Sequence, residues 1–156
     1  MEASSGASGS GSGSDGGAMP VSLTRVVSFR ARHRYHVAAW SESENRARFG
    51  ALGESHPHDY RCEVTVRGPL ADVTGMVIDL AELDAILAQE ILQPFGGQDL
   101  NHAIPDVEAG VTQPTCEVFA DHLYRRIVAR LPSGVLLERV RIAEDPTLHA
   151  DCTGTP

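Results

Sequence analysis

Cysteine is scarce in this sequence, and its three copies stand at irregular spacing, at Cys62, Cys116 and Cys152. They match neither a disulfide framework nor a Cys-x-x-Cys metal knuckle. No stretch approaches the ~20 consecutive apolar residues of a membrane span, and no basic run offsets the formal net charge of -8. These absences predict a reduced, cytoplasmic protein with neither a membrane nor a nucleic-acid partner.

The first twenty residues are rich in glycine and serine and contain no large apolar residue between Met1 and Met19. Such a composition is typical of an expression tag or a flexible linker, and it lacks the apolar core of a signal peptide. We therefore expect residues 1–20 to be a disordered tag or linker and residues 21–156 to form a single domain.

Alternation with a period of two predicts four strands. They cover residues 22–37, 56–68, 76–80 and 134–145. We expect the short run Met76–Leu80 to form a hairpin with the second strand, because a turn-forming stretch lies between them. The last strand is expected to end the fold, with Glu138 and Glu144 on the same face as Val140 and Ile142.

A period near 3.6 predicts helices in the remaining segments. A short helix follows Ser41 or Ser43 as N-cap, with acidic residues in its first turn and glycine at its end. Two longer helices cover residues 79–95, with Asp79 as N-cap, and residues 114–132. The expected inward residues are Leu80, Leu83, Leu87 and Ile91 in one, and Val118, Leu123, Ile127 and Leu131 in the other.

Four strands and two long helices predict an α+β fold, in which the helices cover one face of a four-stranded antiparallel sheet. A sheet of this size leaves its edge strands open. Several copies joined edge to edge into a barrel would close those edges, so we expect a homo-oligomer.

Two histidines on one strand face indicate a possible metal site. His56 and His58 are two residues apart, which places their Cβ atoms roughly 6.5–7 Å apart and lets both reach one ion. His33 lies on the core face of the first strand, so three imidazoles converge if the two strands are neighbours. Three nitrogens and one open position form the arrangement of a catalytic zinc site. On spacing alone, an incidental His-x-His pair and a hydrogen-bonded core histidine stay open as alternatives.

Five motifs, taken in order, carry a resemblance to a known family. They are Phe29-x-Ala31-x-His33; His56-Pro57-His58-x-Tyr60; Val66-x-Gly68 followed by Thr74-Gly75-Met76-Val77-x-Asp79-Leu80; Leu100-Asn101 with Pro114-Thr115-x-Glu117; and Val140-x-Ile142-x-Glu144. From about residue 24 to residue 152, the chain resembles the 6-pyruvoyl-tetrahydropterin synthase / 6-carboxytetrahydropterin synthase family. The resemblance implies a tunnelling fold, a Zn2+ ion held by His33, His56 and His58, and a barrel-like oligomer, commonly a hexamer.

The resemblance does not extend to the family's proton relay. In the family, a cysteine shortly before the histidine pair moves protons, and an Asp-His pair in an L-D-H segment poises that cysteine. Here Leu52 stands at the cysteine position, and Phe95-Gly96-Gly97 replaces the L-D-H segment. Pro57 also replaces a glycine, and the loop before His56 is shorter. The loss of all three relay groups together indicates that the relay has been replaced or abandoned.

Three residues are candidates to replace that relay. Glu54 lies on the loop that enters the site, and some family members use a glutamate near this point in a retro-aldol cleavage of dihydroneopterin. Asp99 and His102 flank the lost L-D-H segment, and their side chains could reach back towards the site. The alternative for Glu54 is an ordinary solvated loop acid, since catalysis requires a pKa near neutrality and hydrogen-bond reach of the substrate. The sequence also offers two further histidines, His122 and His149, the first of them expected to be structural.

Glu144 stands where the family's glutamate anchors the pterin ring. A carboxylate suits a guanidine-like edge, because two parallel charge-assisted hydrogen bonds form at once. Thr115 and Glu117 are also kept and are expected to bind substrate. The alternative for Glu117 is a first-turn acid that the helix dipole stabilises. The sequence therefore favours a ligand of pterin-like or purine-like shape, on which the reaction has changed.

Two functions follow from these residues. The first is a zinc-dependent lyase or aldol-type enzyme that acts on a dihydropterin or a related small heterocyclic or carbonyl substrate, in specialised metabolite biosynthesis. The second is a non-catalytic homologue that keeps the fold, zinc and pterin but not turnover. An open metal position favours the enzyme, because a structural zinc usually has a fourth protein ligand. Cys62 shares the histidine face but lies too far along the strand to close the site easily.

Overall fold

The computed structural model describes residues 19–154, whose strands form one antiparallel sheet in the order β1-β2-β3-β4. The strands are β1 (Val21–His33), β2 (His56–Gly68), β3 (Leu136–Asp145) and β4 (Leu148–Cys152). The predicted α+β fold with a four-stranded antiparallel sheet is confirmed. Of the predicted linker, residues 1–20, all but Met19 and Pro20 lie outside the described residues.

The helices lie in the connections between β1, β2 and β3. They are α1 (Glu42–Phe49), α2 (Leu80–Leu87), α3 (Gln93–Phe95), α4 (Leu100–Ala103), α5 (Pro105–Glu108) and α6 (Cys116–Val128). A 3-10 turn, Gly50–Gly53, follows α1, and a π-helical turn, Ala88–Leu92, joins α2 to α3. Within residues 19–154, no helix is both long and apolar enough to cross a membrane.

The helices begin where a short polar side chain can accept backbone N–H groups. Ser41 and Glu44 form a reciprocal capping box at the start of α1. Asp79 accepts two backbone N–H groups at the start of α2, and Thr115 caps α6. These side chains satisfy first-turn donors that have no partner within the helix. Of the two serines offered as N-cap of α1, the structure has Ser41, and the predicted N-cap Asp79 is confirmed.

The sheet has one apolar face and one charged face. Alternate strand residues fill the apolar face, and α6 packs on β3 and β4. The core between the sheet and the helices contains the most buried side chains. They are Tyr60, Cys62, Val64, Val66, Val140 and Ile142 from the sheet and Phe95, Phe119, Leu123 and Ile127 from the helical segments. Burial of these side chains is the main force that holds the helices on the sheet. The opposite face carries ion pairs such as Arg30–Asp59 and Arg141–Asp151.

The predicted strand Met76–Leu80, and with it the predicted hairpin, is wrong. Residues 72–78 form turns and bends, and Asp79 caps α2, so Leu80 begins a helix. The neighbour of β2 is instead β3, which pairs with it from Arg61 to Arg67. β3 can pair with β2 over more residues than Met76–Leu80 could. The last two residues of that run, Asp79 and Leu80, are the cap and the first residue of α2.

The fourth strand is β4, which the sequence analysis missed by ending the fold at Asp145. The Asp145 carboxylate closes the β3–β4 turn by accepting the backbone N–H groups of Thr147 at 2.6 Å and Leu148 at 3.1 Å. β4 spans only five residues. So short a strand carries little alternation, and its sequence signal is correspondingly weak.

Two side chains face outward, contrary to expectation: Glu138 was expected on the face of Val140 and Ile142, and Leu80 was expected to face inward. Glu138 is the extra residue where the register of β3 shifts, so Leu137 takes the inward position instead. A bulge of this kind reverses the alternation on one side of it. Leu80, at the first position of α2, is 40% exposed, whereas Leu83, Leu87 and Ile91 are fully buried as predicted.

Candidate metal centre and ligand pocket

Strand pairing brings the three predicted metal ligands together. In the register of β1 and β2, His33 lies directly opposite His56, and His58 lies opposite Ala31. One ring nitrogen from each histidine lies within 4.8 Å of those from the other two. The convergence expected for neighbouring strands is therefore present, and the three side chains could hold a metal ion.

Hydrogen bonds fix which nitrogen of each ring faces this histidine cluster. His56 Nδ1 donates to the backbone carbonyl of Glu54 over 2.7 Å, which leaves His56 Nε2 for the cluster. His33 Nδ1 lies 3.1 Å from the Tyr60 hydroxyl, so His33 also turns Nε2 towards the cluster. Metal-binding histidines are oriented in this way, because a partner on the second nitrogen fixes the tautomer.

A bound cation would satisfy one buried atom of the histidine cluster. His58 Nε2 is buried and has no hydrogen-bond partner among the described residues. A buried polar atom without a partner is costly, and a metal ion at the cluster would satisfy it. Three imidazole nitrogens suit zinc among the divalent ions and leave one coordination position open. The residues present therefore fit the metal that the resemblance implies.

The environment of His33 keeps its ring neutral. His33 is 1% exposed. Burial, followed by the charges of His56 and His58, lowers the pKa of His33 from 6.5 to about 4. A hydrogen bond to the Pro114 carbonyl and the charge of Asp99 act in the opposite direction. A neutral imidazole keeps the lone pair that a metal ion needs.

A second group of titratable side chains surrounds Glu144. The Cys116 thiol donates to Glu144 Oε2 over 3.6 Å, and burial together with the Glu144 charge raises the pKa of Cys116 to about 12. Burial first, and then the charge of Glu144, also raises the pKa of Tyr35 to about 12 and that of Tyr60. Because Tyr60 also contacts His33, the charge of Glu144 acts on a residue of the histidine cluster's surroundings.

The other two predicted substrate-binding residues lie at the start of α6. The Thr115 hydroxyl accepts the Val118 backbone N–H over 3.3 Å and so caps the helix. Glu117 is exposed in the first turn, where the helix dipole favours an acid. Its charge also contributes to the raised pKa of Tyr35. Both residues thus have a structural role in the chain, and their contact with substrate remains a prediction.

The three candidates for proton transfer meet at one cavity of about 440 Å³. Glu54, Asp99 and His102 line it together with Tyr35. Asp99 accepts a backbone N–H over 3.0 Å at the start of α4, and His102 is exposed, with Nδ1 3.7 Å from Glu108 Oε1. The Glu54 residue is exposed, and its backbone carbonyl orients His56. This second role of Glu54 was not predicted from the sequence.

The two further histidines stand apart from the cluster. His149 lines a larger cavity, about 810 Å³, on the charged face of the sheet. His122, on α6, packs its ring 5.7 Å from that of Phe95, and burial lowers its pKa. The structural role expected for His122 fits this packing.

The backbone around the replaced relay segment excludes a simple return of the Asp-His pair. The Gly96 N–H donates to the Leu92 carbonyl over 2.9 Å, and a Cβ at Gly96 would lie 2.6 Å from the same oxygen. Gly97 adopts a φ of 73°, in the left-handed region that favours glycine. Leu52, at the cysteine position, lies in the 3-10 turn with 50% of its surface exposed.

Two tyrosines of the site were not assigned a role from the sequence. Tyr35 and Tyr60 each stand two residues after a candidate metal ligand, His33 and His58. Residues two apart on an extended chain project to the same side. The alternation that identifies the histidines therefore also identifies these tyrosines as their neighbours.

Comparison with known proteins gives relatives over most of the chain. A profile of 6-pyruvoyl tetrahydropterin synthase matches residues 22–155. The 6-pyruvoyl tetrahydrobiopterin synthase of Poecilia reticulata is 35% identical over 124 residues, 78% of this chain and 82% of that protein. The Homo sapiens protein of the same name is 33% identical over 124 residues, 78% of this chain and 83% of its own. The solved structure of Caenorhabditis elegans 6-pyruvoyl tetrahydropterin synthase matches with a TM-score of 0.78 and 29% identity, covering 88% of this chain and 98% of that one.

The sheet, its helices and the histidine cluster define a tunnelling-fold protein with a candidate metal site. The chain belongs to the 6-pyruvoyl tetrahydropterin synthase family. The resemblance read from the five motifs is therefore confirmed, and so is the fold that it implied.

Proposed function

We propose that this protein is a zinc-dependent lyase or aldol-type enzyme acting on a dihydropterin, or on a related small heterocyclic or carbonyl substrate. Membership of a family whose relatives are named 6-pyruvoyl tetrahydrobiopterin synthase supports lyase chemistry on a pterin. The observation that carries the proposal is the histidine cluster, with its ring nitrogens within 4.8 Å of one another. Because the usual relay is missing, we assign the reaction to specialised metabolite biosynthesis.

The chain's own residues supply binding at both ends of the site. His33, His56 and His58 would hold zinc, which when bound polarises a carbonyl or acidifies a hydroxyl. Glu144 would accept two N–H groups from the guanidine-like edge of the heterocycle. The Cys116 thiol has a pKa of about 12, so it stays protonated and donates a hydrogen bond to Glu144. It therefore adds no second negative charge beside the carboxylate.

Proton transfer is assigned to the cavity of about 440 Å³ that Glu54, Asp99 and His102 line. A general acid or base must lie within hydrogen-bond reach of the reacting atom, directly or through one water. Glu54 is the first candidate, because its backbone contacts the ligand His56. Asp99 is partly used as a helix cap, and His102 lies beside Glu108.

We further propose that the protein assembles into a homo-oligomeric barrel, a hexamer if it follows the family. Among residues 19–154, β1 and β4 are the edge strands of the sheet, and the outer edge of β4 pairs with no other strand. Exposed edges are templates for pairing with another chain. Light scattering on the eluted protein measures the number of copies, and a monomer would contradict this assembly.

One incubation tests the enzymatic proposal. The zinc-loaded protein is mixed with dihydroneopterin triphosphate and, separately, with dihydroneopterin, and the products are followed by mass spectrometry. The expected product has a side chain that is shortened by carbon–carbon cleavage or that has lost inorganic triphosphate by elimination, and Glu54→Ala should lower the rate at which this product forms. Glu42→Ala is the matched control, since Glu42 is an exposed acid on the wall of the same cavity. Equal rates for the two variants would contradict the role of Glu54.

The alternative is a non-catalytic homologue that binds zinc and a pterin. Leu52 and the Gly96-Gly97 backbone favour it, because neither position can supply the family's proton relay. Its signature would be saturable pterin binding that Glu144→Gln removes, with no product from either substrate. Turnover by the wild-type protein would exclude it.

A further inference from the structure

Two side-chain amides hold the backbone that follows β1. Asn101 Oδ1 accepts the Arg34 N–H over 2.8 Å, and its Nδ2 donates to the Arg34 carbonyl over 3.0 Å. Gln113 does the same for His36, at 2.9 Å for the accepted N–H and 3.0 Å for the donated bond. Each amide thus satisfies the backbone N–H and the backbone carbonyl of one residue, as a neighbouring strand would in a sheet. Between these two residues stands Tyr35.

The same segment is held at two further points. The Tyr35 N–H donates to the Leu52 carbonyl over 2.9 Å. Asn45, which is buried, accepts the Val37 N–H over 2.8 Å and donates to the Val37 carbonyl over 3.0 Å. A chain that has left the sheet is therefore fixed at four consecutive residues, numbers 34–37. Such a restraint gives Tyr35 one defined position beside the turn that carries Leu52.

The ring of Tyr35 lies beside the histidine cluster. Its centroid is 5.1 Å from that of His33 and 5.7 Å from that of Phe49. Glu144 is the carboxylate whose charge acts most strongly on the Tyr35 hydroxyl. Tyr35 also lines the cavity that holds Glu54 and the other proton-transfer candidates. The side chain therefore contacts the histidine cluster, lines the cavity of the proton-transfer candidates and lies within range of the Glu144 charge.

The Tyr35 hydroxyl can donate a hydrogen bond to a ligand. Among residues 19–154, it takes part in none of the hydrogen bonds of the chain, whereas the Tyr60 hydroxyl contacts His33. Glu144 and Glu117 can only accept hydrogen bonds, and the Thr115 hydroxyl already accepts one from α6. A heterocycle that donates N–H groups to Glu144 also presents carbonyl or ring-nitrogen acceptors, which need a donor.

We propose that Tyr35 contacts the ligand, with its ring as the wall between the histidine cluster and Glu144 and its hydroxyl as a hydrogen-bond donor to an acceptor atom of the heterocycle. This assignment rests on the proposed function. It gives the chain a substrate-binding O–H group beside Leu52, the position from which the family's thiol is missing.

Calorimetry with dihydroneopterin on the zinc-loaded full chain tests the assignment. Tyr35→Phe removes only the hydroxyl and should weaken binding by roughly two- to tenfold, the worth of one net hydrogen bond. Tyr35→Leu also removes the wall and should weaken binding further. Tyr124→Phe is the matched control, because the Tyr124 hydroxyl donates to the Leu137 carbonyl within the fold. Zinc content and melting temperature should not change in Tyr35→Phe.

A spectroscopic readout keeps the proposal testable if a variant folds poorly. The chain has three tyrosines, so fluorotyrosine labelling gives three fluorine resonances, which the Tyr60→Phe and Tyr124→Phe variants assign by elimination. Adding dihydroneopterin should shift the Tyr35 resonance and leave that of Tyr124 in place.

The possible results separate the two proposals. If dihydroneopterin binds the wild-type protein and Glu144→Gln removes that binding, an unchanged affinity in Tyr35→Phe or an unmoved Tyr35 resonance overturns the Tyr35 assignment alone. Loss of zinc from Tyr35→Phe also overturns it, because the residue would then act at the metal. If dihydroneopterin does not bind the wild-type protein, the proposed pterin function falls and the Tyr35 assignment falls with it.

Discussion

The Nε2 atoms of His33 and His56 face each other across 3.1 Å. Because His56 Nδ1 donates to a carbonyl, His56 Nε2 carries a lone pair rather than a proton. When His33 also carries its proton on Nδ1, two lone pairs point at one position. A cation at that position would remove their repulsion, so metal binding would stabilise the fold.

Zinc should therefore stabilise the wild-type chain. At a free zinc concentration 100 times the Kd, the free energy of unfolding should rise by about 2.7 kcal/mol. His56→Ala removes one ligand and should abolish most of this gain, whereas His149→Ala, on β4 away from the cluster, should keep it. Urea unfolding with and without zinc measures both. Equal gains in the two variants would show that the metal binds elsewhere.

The Tyr60 hydroxyl should tune the affinity for zinc. It lies 3.1 Å from His33 Nδ1, so Tyr60→Phe takes away a partner that orients a candidate ligand. Changes of this kind typically weaken metal binding by about 10- to 100-fold. The stacked ring contact with Phe29, at 5.5 Å, is kept in the variant, and the fold should survive. Competition with a chelator measures the affinity, and a value equal to that of Tyr124→Phe would contradict the prediction.

Acid should destabilise the metal-free protein through His33. Its pKa is about 4 in the folded state and about 6.5 in the unfolded chain. Between these values the unfolded state binds a proton that the folded state does not, so stability is complete above pH 6.5 and is lost as the pH falls towards 4. The loss should reach roughly 3 kcal/mol. Urea unfolding at several pH values measures it, and His33→Gln should show a flatter dependence. Parallel curves would exclude His33 as the cause.

Gly96 should tolerate no side chain. A Cβ there would lie 2.6 Å from the Leu92 carbonyl oxygen, so Gly96→Ala should cost roughly 2 kcal/mol or more of stability. Gly110→Ala is the control, because that residue has a positive φ but nothing within 4 Å of the added atom, and it should cost only about 1 kcal/mol. Thermal unfolding compares them. If the two variants lose the same free energy of unfolding, the backbone at Gly96 can shift enough to accommodate a side chain, and the prediction is wrong.

The sequence predicts the parts of the fold that repeat over many residues. β1 and β2 alternate along their whole length, and the three histidines converge because the register of these strands is set by their buried faces. The helix caps Ser41 and Asp79 were also readable, since an N-cap depends on a few neighbouring residues. The strand predicted at Met76–Leu80 is wrong because a short apolar run can also precede a helix, and the pattern alone does not distinguish the two.

The contacts that complete the site depend on residues far apart in the chain. Asn101 and Gln113 each reach back over more than sixty residues to hold the segment after β1. An asparagine or glutamine in a loop has many possible partners, and no local pattern identifies the right one. The role of the Glu54 backbone was hidden for a different reason, since any residue at that position offers a carbonyl.

The segment after β1 depends on the amide nitrogen of Asn45. Its Nδ2 donates to three carbonyl oxygens, those of Val37, Trp40 and Ser41, at 3.0, 3.4 and 3.1 Å. Spontaneous deamidation, which converts an asparagine to an aspartate, would place a carboxylate oxygen against these three oxygens in a buried position. A change of about one mass unit at this side chain would then release the segment that includes Tyr35.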